Sequence, residues 1–89
     1  MKIVYTKHAL EKFTILKELG WDFKKKDIAD AIHSPDKTSI TKDGSAIEIL
    51  KASTEKISLK VVYAKFGDII WVITFHPVER KRYEKKSQG

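Results

Sequence analysis

The chain of 89 residues contains no cysteine, and it has few of the residues that interrupt secondary structure, with four glycines and two prolines. The absence of cysteine excludes disulfide bonds, cysteine-ligated zinc sites and thiol catalysis. No apolar run approaches the ~18 residues that a membrane helix requires, and no signal-peptide pattern is present at the start. We therefore expect a cytoplasmic protein with no membrane partner. A chain of this length supports one hydrophobic core, which predicts a single domain over residues 1–89.

Arginine is also scarce, since 16 of the 18 basic residues are lysines. Residues 1–50 carry nine lysines against eight acidic residues, so nearly all of the net charge of +6 lies in residues 51–89. Clustered positive charge attracts polyanions such as RNA, and it attracts acidic protein partners equally well. The alternative is that the lysines only keep a small protein soluble.

The spacing of apolar residues predicts two helices at the start of the chain. After a short strand at Ile3–Tyr5, Thr6 is a candidate N-cap and Gly20 a candidate C-cap of the first helix. Asp22 is a candidate N-cap of the second helix, and the pair Ser34-Pro35 ends it because the residue before proline avoids helical geometry. The predicted buried faces of the two helices consist of Ala9, Leu10, Phe13, Leu16 and Leu19, and of Ile28, Ala31 and Ile32.

The apolar period then changes from that of a helix to that of a strand. Thr38–Lys42 and Ser45–Lys51 flank Asp43-Gly44, a pair typical of a tight hairpin turn. Ile57–Phe66 and Ile69–Phe75 form a second predicted hairpin. The predicted fold class is α+β: two N-terminal helices on one face of a curved, mainly antiparallel sheet of four or five strands, in the order β-α-α-β-β-β-β.

Strict alternation in the second hairpin divides its side chains between two faces. We expect the core face to carry Val62, Ala64, Phe66, Ile69, Trp71, Ile73 and Phe75. The opposite face would then carry Leu59, Val61, Tyr63, Lys65, Ile70, Val72, Thr74 and His76. This second set mixes apolar, hydroxyl and imidazole groups, as a substrate-binding or partner-binding face does. A slip of one residue in the register would exchange the two assignments.

No metal-ligand spacing and no glycine-rich phosphate loop is present, so we expect no metal and no cofactor. The side chains that remain as candidates for catalysis or binding are basic groups and the phenol of tyrosine. Metal-independent RNA cleavage requires a base for the ribose 2′-hydroxyl, cations for the phosphate and an acid for the leaving oxygen. The candidate catalytic residues are His76, Tyr83 and Arg80. The candidate nucleic-acid-binding residues are Lys60, Arg80, Lys81, Arg82 and Lys85.

Each of these residues has a structural alternative. His76-Pro77 is also an ordinary strand end, after which residues 78–89 form a basic tail or a short helix. Tyr83 packs this tail onto the sheet or stacks on a base. His8, at the start of the first helix, belongs to a site there or makes a structural hydrogen bond to a neighbouring strand. Trp71 is expected in the core.

Three segments, KHALEKF, GWDFKKKDIADAIHSPDK and WVITFHP, resemble a family of small uncharacterised domains that begin with His-Ala-x-x-Arg and lie near the RelE/ParE toxin superfamily. The ending VITFHPVERKRYEKK resembles that of BrnT-type toxins. His8 matches the opening histidine, and Glu79-Arg80 and Tyr83 match the BrnT-like ending. Lys12 stands where the family has arginine.

The resemblance implies a RelE-like fold and a toxin of a type II toxin–antitoxin system. Such proteins are ribonucleases, with or without the ribosome, or gyrase poisons. The expected partners are therefore RNA or the ribosome and an acidic antitoxin-like protein, and an open sheet face also allows a homodimer. A non-catalytic nucleic-acid-binding or partner-docking module of the same fold is the alternative.

Overall fold

The computed structural model of the protein describes residues 2–80. It contains β1 (Lys2–Tyr5), α1 (Lys7–Glu18), α2 (Lys25–His33), β2 (Lys37–Ile40), β3 (Ile47–Ala52), β4 (Ile57–Phe66) and β5 (Ile69–Glu79). The strands form one sheet in the order β1-β5-β4-β3-β2, in which β1 is parallel to β5 and the other neighbours are antiparallel. The predicted α+β class and element order are confirmed. No helix in this part of the chain is long and apolar enough to span a membrane.

The predicted N-cap of α1 is present, and Gly20 follows the C-cap residue Leu19 and ends the helix. The N–H of Ala9 donates to Thr6 Oγ1 at 3.1 Å, which satisfies one of the free donors at the helix start. Gly20 has a φ of 95°, in the left-handed region that favours glycine, and its N–H donates to the Lys17 carbonyl at 3.0 Å. The Thr6 hydroxyl also donates to the carbonyl of Ile73 in β5 at 3.1 Å. One side chain therefore caps the helix and attaches it to the sheet.

The start of α2 differs from the prediction. The helix begins at Lys25, and Asp22 does not cap it. Asp27 performs this function instead, because its carboxylate accepts a hydrogen bond from the N–H of Lys24 at 2.8 Å, as the third residue of a capping box does. The predicted buried face of α2 is confirmed, and Ile28 and Ala31 are fully buried.

The hairpin between β2 and β3 is wider than a two-residue turn. Residues 41–46 connect the strands, and Gly44 lies in this connection with a φ of 75°. The Asp43 carboxylate accepts hydrogen bonds from the Thr41 hydroxyl and from the N–H and hydroxyl of Ser45, which lower its pKa to about 2. These side-chain hydrogen bonds stabilise the turn itself and are separate from the backbone hydrogen bonds between the two strands.

A β-bulge in β5 decides the orientation of every later residue of this strand. Tyr63 of β4 pairs with Val72, but Val62 pairs with Thr74, so Ile73 has no partner of its own. An extra residue in one strand reverses the alternation of side chains beyond it. Before the bulge, β5 points its even-numbered residues at the helices, and beyond the bulge it points the odd-numbered ones there.

The prediction of the core face was correct for Phe75 and wrong for the rest of this hairpin. The buried side chains are Leu59, Val61, Tyr63, Ile70, Val72 and Phe75. Phe75 belongs to this set because the bulge turns it inward, where it meets the ring of Phe13 at 4.5 Å. Trp71 and Ile73, expected in the core, are more than a third exposed. Leu10 and Leu19 of the first helical segment are also exposed rather than buried.

The pair His76-Pro77 does not end β5, which continues to Glu79. Proline lacks an N–H and is tolerated in a strand whose outer edge is unpaired. β1 pairs only with Ile69–Val72, so the outer edge of β5 beyond Val72 has no neighbouring strand among residues 2–80. Residues 78 and 79, which were predicted to begin the tail or short helix, therefore belong to β5, and residues 81–89 of that prediction lie outside the described residues.

The reversed alternation predicts different stabilities for two phenylalanine variants. Phe75→Ala should lower the free energy of unfolding by about 3–5 kcal/mol, because it empties a fully buried site. The matched variant Phe66→Ala, whose ring is 63% exposed, should change it by less than about 1 kcal/mol. Urea unfolding followed by circular dichroism measures both, and equal losses would contradict the described bulge.

Candidate functional site

The face of the sheet opposite the helices, here called the open face, carries the candidate site. Because Leu59, Val61 and Tyr63 of β4 are buried under the helices, the alternate residues of β4 point to the open face. These are Ser58, Lys60, Val62, Ala64 and Phe66. None of the described elements packs on this face. One end of the open face carries apolar side chains, and the other end carries ionisable side chains.

His76 and Lys60 lie directly opposite each other at the ionisable end. Strict alternation would have placed them on different faces, and the bulge at Ile73 brings them together. The Lys60 ammonium is also paired with Glu48 of β3, with Nζ 2.7 Å from Oε1, and both side chains are mostly buried. The carboxylate holds the ammonium in place beside the imidazole.

Helix α1 brings two further basic side chains to the same end of the sheet. His8 and Lys12 are four residues apart and therefore lie on one side of the helix. His8 Nε2 is 3.3 Å from Thr74 Oγ1, at the outer edge of β5 that β1 leaves unpaired. Thr74 and His76 share a face at roughly 7 Å spacing. Lys12 is close enough to His76 to act on its charge.

These groups form what we call the imidazole–lysine cluster, which consists of His8, Lys12, Glu48, Lys60, Thr74 and His76. Its electrostatics keep His76 neutral. Burial lowers the pKa of His76 from its usual 6.5, and the positive charges of Lys60 and Lys12 lower it further. Glu48 acts in the opposite direction and raises the pKa of His76. A neutral imidazole beside two ammonium groups combines a proton acceptor with cations, as phosphate chemistry requires.

Arg80, one of the predicted catalytic and phosphate-binding residues, lies in a different place. Its guanidinium donates to the carbonyls of Thr54 and Glu55 at 3.0 and 3.4 Å, in the loop between β3 and β4. Its N–H donates to the Lys56 carbonyl at 2.9 Å. Arg80 comes four residues after His76, roughly 13 Å along an extended strand. The described contacts of Arg80 close a loop and do not join it to the imidazole–lysine cluster.

The structure thus brings together His76 and Lys60 from the predicted site. Lys81, Arg82, Tyr83 and Lys85 lie outside the described residues, so their roles stay predictions. Sequence reasoning missed Glu48 and Thr74, which carry no local signal. The His8–Lys12 spacing was a usable signal, because two basic groups four residues apart on a helix must share a side.

A concavity with a volume of about 480 Å³ lies on the helix side of the sheet. Trp21 and Phe23, which stack with their ring planes 2° apart, line it together with Asp27 and Asp30. No predicted site residue lies among its lining residues. Within residues 2–80, no group of three or more histidine and acidic side chains is arranged to hold a metal ion.

Comparisons with known protein families, with curated proteins and with solved structures found no match for this chain. The resemblance to the RelE/ParE and BrnT toxins therefore stays a prediction from short motifs.

The titration of His76 tests the electrostatics of the cluster. Lys60→Met should raise the pKa of His76, because it removes a repelling positive charge, and Glu48→Gln should lower it. Histidine ring resonances followed by NMR across pH 4–9 report this pKa directly. Lys65→Met is the matched control, since Lys65 lies on β4 but points to the other face. An unchanged pKa in Lys60→Met would contradict the described contact.

The same lowered pKa predicts a pH-dependent stability. The unfolded chain binds a proton at His76 near pH 6.5, whereas the folded chain binds it only at lower pH. This contribution to the free energy of unfolding is therefore complete above pH 6.5 and is lost as the pH falls through the folded pKa. His76→Gln should lose less stability than the native chain between pH 7 and pH 5, measured by urea unfolding.

Proposed function

We propose that the protein binds RNA at the imidazole–lysine cluster and cleaves it without a metal ion, as a toxin-like endonuclease. The observation that carries the proposal is the placement of His76 directly opposite Lys60, with His8 against Thr74 at the adjoining strand edge and Lys12 close enough to act on the charge of His76. Two imidazoles and two ammonium groups at one place supply a base, an acid and phosphate-binding cations.

In the proposed reaction, His76 accepts the proton of a ribose 2′-hydroxyl. The 2′-oxygen attacks the adjacent phosphorus, and the bond from phosphorus to the 5′-oxygen of the next nucleotide breaks. His8 donates a proton to the leaving 5′-oxygen. Lys60 and Lys12 stabilise the negative charge that grows on the phosphate oxygens. The products are a 2′,3′-cyclic phosphate and a free 5′-hydroxyl, so atoms and charges balance.

Two further features support this proposal. Residues 80–89, which follow β5 in the sequence, hold five basic residues and one acidic residue, so most of the net charge of +6 lies next in sequence to the strand that carries His76. The short motifs that resemble RelE/ParE and BrnT toxins predict a ribonuclease independently of the geometry. The predicted acidic antitoxin-like partner would then restrain the activity, and its binding surface stays a prediction.

The Glu48 carboxylate favours a second candidate function, RNA binding without cleavage. The carboxylate already pairs with the Lys60 ammonium, with Oε1 2.7 Å from Nζ, and so reduces the positive charge that Lys60 offers to a phosphate. A binding module requires only attraction to the backbone, which Lys12 and the other lysines supply, and it predicts salt-sensitive binding with no cleavage products.

A cleavage assay in excess EDTA, with free RNA and with RNA on ribosomes, decides between the two functions. The native chain should give 2′,3′-cyclic phosphate ends, and a 2′-deoxy substitution at the cut site should prevent cleavage. His76→Gln should lower the rate by about 10²–10⁴-fold and Lys60→Met by about 100-fold.

Lys65→Met, which carries the same charge change as Lys60→Met on the opposite face of β4, should leave the rate within about twofold. Circular dichroism confirms that each variant is folded. If RNA stays intact both when free and when on ribosomes, and if its binding is salt-sensitive, the protein is a binding module and not an endonuclease. Equal losses of cleavage rate in Lys60→Met and Lys65→Met would show that the imidazole–lysine cluster is not the active site.

A further inference from the structure

Trp71 is a large aromatic residue on the open face of a central strand. β5 has a neighbour on both sides at this position, since Trp71 pairs with Val4 of β1 and with Ala64 of β4. Its side chain is nevertheless 39% exposed, and Phe66 on the same face is 63% exposed. A contiguous exposed apolar surface of this kind on a globular protein marks an interaction site.

The neighbours of Trp71 leave its ring accessible. Ala64, directly opposite on β4, has only a methyl group, and Val4 on the other side is short. Larger side chains at these cross-strand positions would pack over the indole. The exposed apolar residues around it are Phe66, Ile69 and Ile73.

The aromatic end and the ionisable end of the open face lie on the same two strands. Trp71 and His76 are both on β5, roughly 15 Å apart along the strand. Phe66 and Lys60 are both on β4 and point to the same side. A ligand that lies along these strands therefore meets cations and imidazoles at one end and an exposed indole at the other.

We infer that Trp71 is a stacking platform for an unpaired base of the RNA strand whose phosphate lies at the imidazole–lysine cluster. The inference rests on the proposed function and specifies its substrate as single-stranded RNA, because a duplex keeps its bases stacked inside. Stacking on an exposed aromatic ring tolerates every base and strengthens binding by about 5- to 150-fold per base.

Charge favours this ligand over a second copy of the chain on the same face. Each copy carries a net charge of +6, so two copies of the chain repel each other electrostatically. A single strand of RNA brings negative phosphates to the cations and apolar base faces to Trp71, so it complements both ends of the open face.

The chain has two tryptophans, which allows a site-specific fluorescence test. Trp21→Phe leaves Trp71 as the sole reporter on the open face. A short 2′-O-methyl RNA strand, which cannot be cut at its blocked 2′-oxygens, should quench Trp71 emission on binding. An abasic strand of the same length carries the same phosphates, and we expect it to bind more weakly and to leave the emission unchanged.

Trp71→Leu should weaken binding of the base-containing strand by about 5- to 150-fold and leave binding of the abasic strand unchanged. Trp71→Phe keeps an aromatic ring and should restore most of the loss. Trp21→Phe, on the helix side, should bind both strands as the native chain does. Because Trp71 is partly exposed, all three variants are expected to fold, which circular dichroism verifies.

Equal affinity of Trp71→Leu and the native chain for the base-containing strand would overturn the inference. A Trp71 emission that changes with protein concentration alone would assign the face to a second copy and would also overturn it. Neither outcome affects the proposed cleavage, which the cyclic-phosphate assay measures separately. Conversely, base-dependent quenching without any cleavage would leave the platform intact and remove only the endonuclease.

Discussion

The bulge at Ile73 is the constraint on which both faces of the sheet depend. It allows Val72 and Phe75 to enter the core from the same strand although three positions separate them, and it turns His76 outward to face Lys60. The carbonyl of Ile73 accepts the hydroxyl of Thr6, which also caps α1. The start of the helix, the extra residue of the strand and the partly buried imidazole of His76 are therefore parts of one local arrangement.

The ionisable end of the open face is a balance of charges around one partly buried imidazole. Desolvation and two ammonium groups favour neutral His76, while Glu48 moderates Lys60. This balance explains why the cluster is compatible with the fold, since burying the Lys60 ammonium beside an imidazole without a carboxylate would be costly. It also determines what chemistry the site offers, because proton transfer near neutral pH requires a histidine that is free of its proton.

Much of the fold was accessible from local patterns, whereas the site was accessible only in part. Thr6, Gly20 and the buried face of α2 carry short-range signals and were predicted correctly. Strict alternation in the last hairpin predicts that Trp71 lies in the core and that His76 and Lys60 lie on different faces. Both predictions fail because the bulge, which has no sequence signal, reverses the alternation. Arg80 was expected to hold phosphate because arginine is scarce, but its described contacts are loop carbonyls, which composition does not reveal.

The amino-acid sequence by itself determined the α+β class, the order of the elements and the N-cap of α1, because these depend on residues within one or two turns of each other. Only the tertiary structure decided which side of β5 faces the solvent at each position. The physical reason is that the bulge is held by a hydrogen bond between Thr6 and Ile73, which are far apart in the chain, and a single extra residue reverses every side chain that follows it.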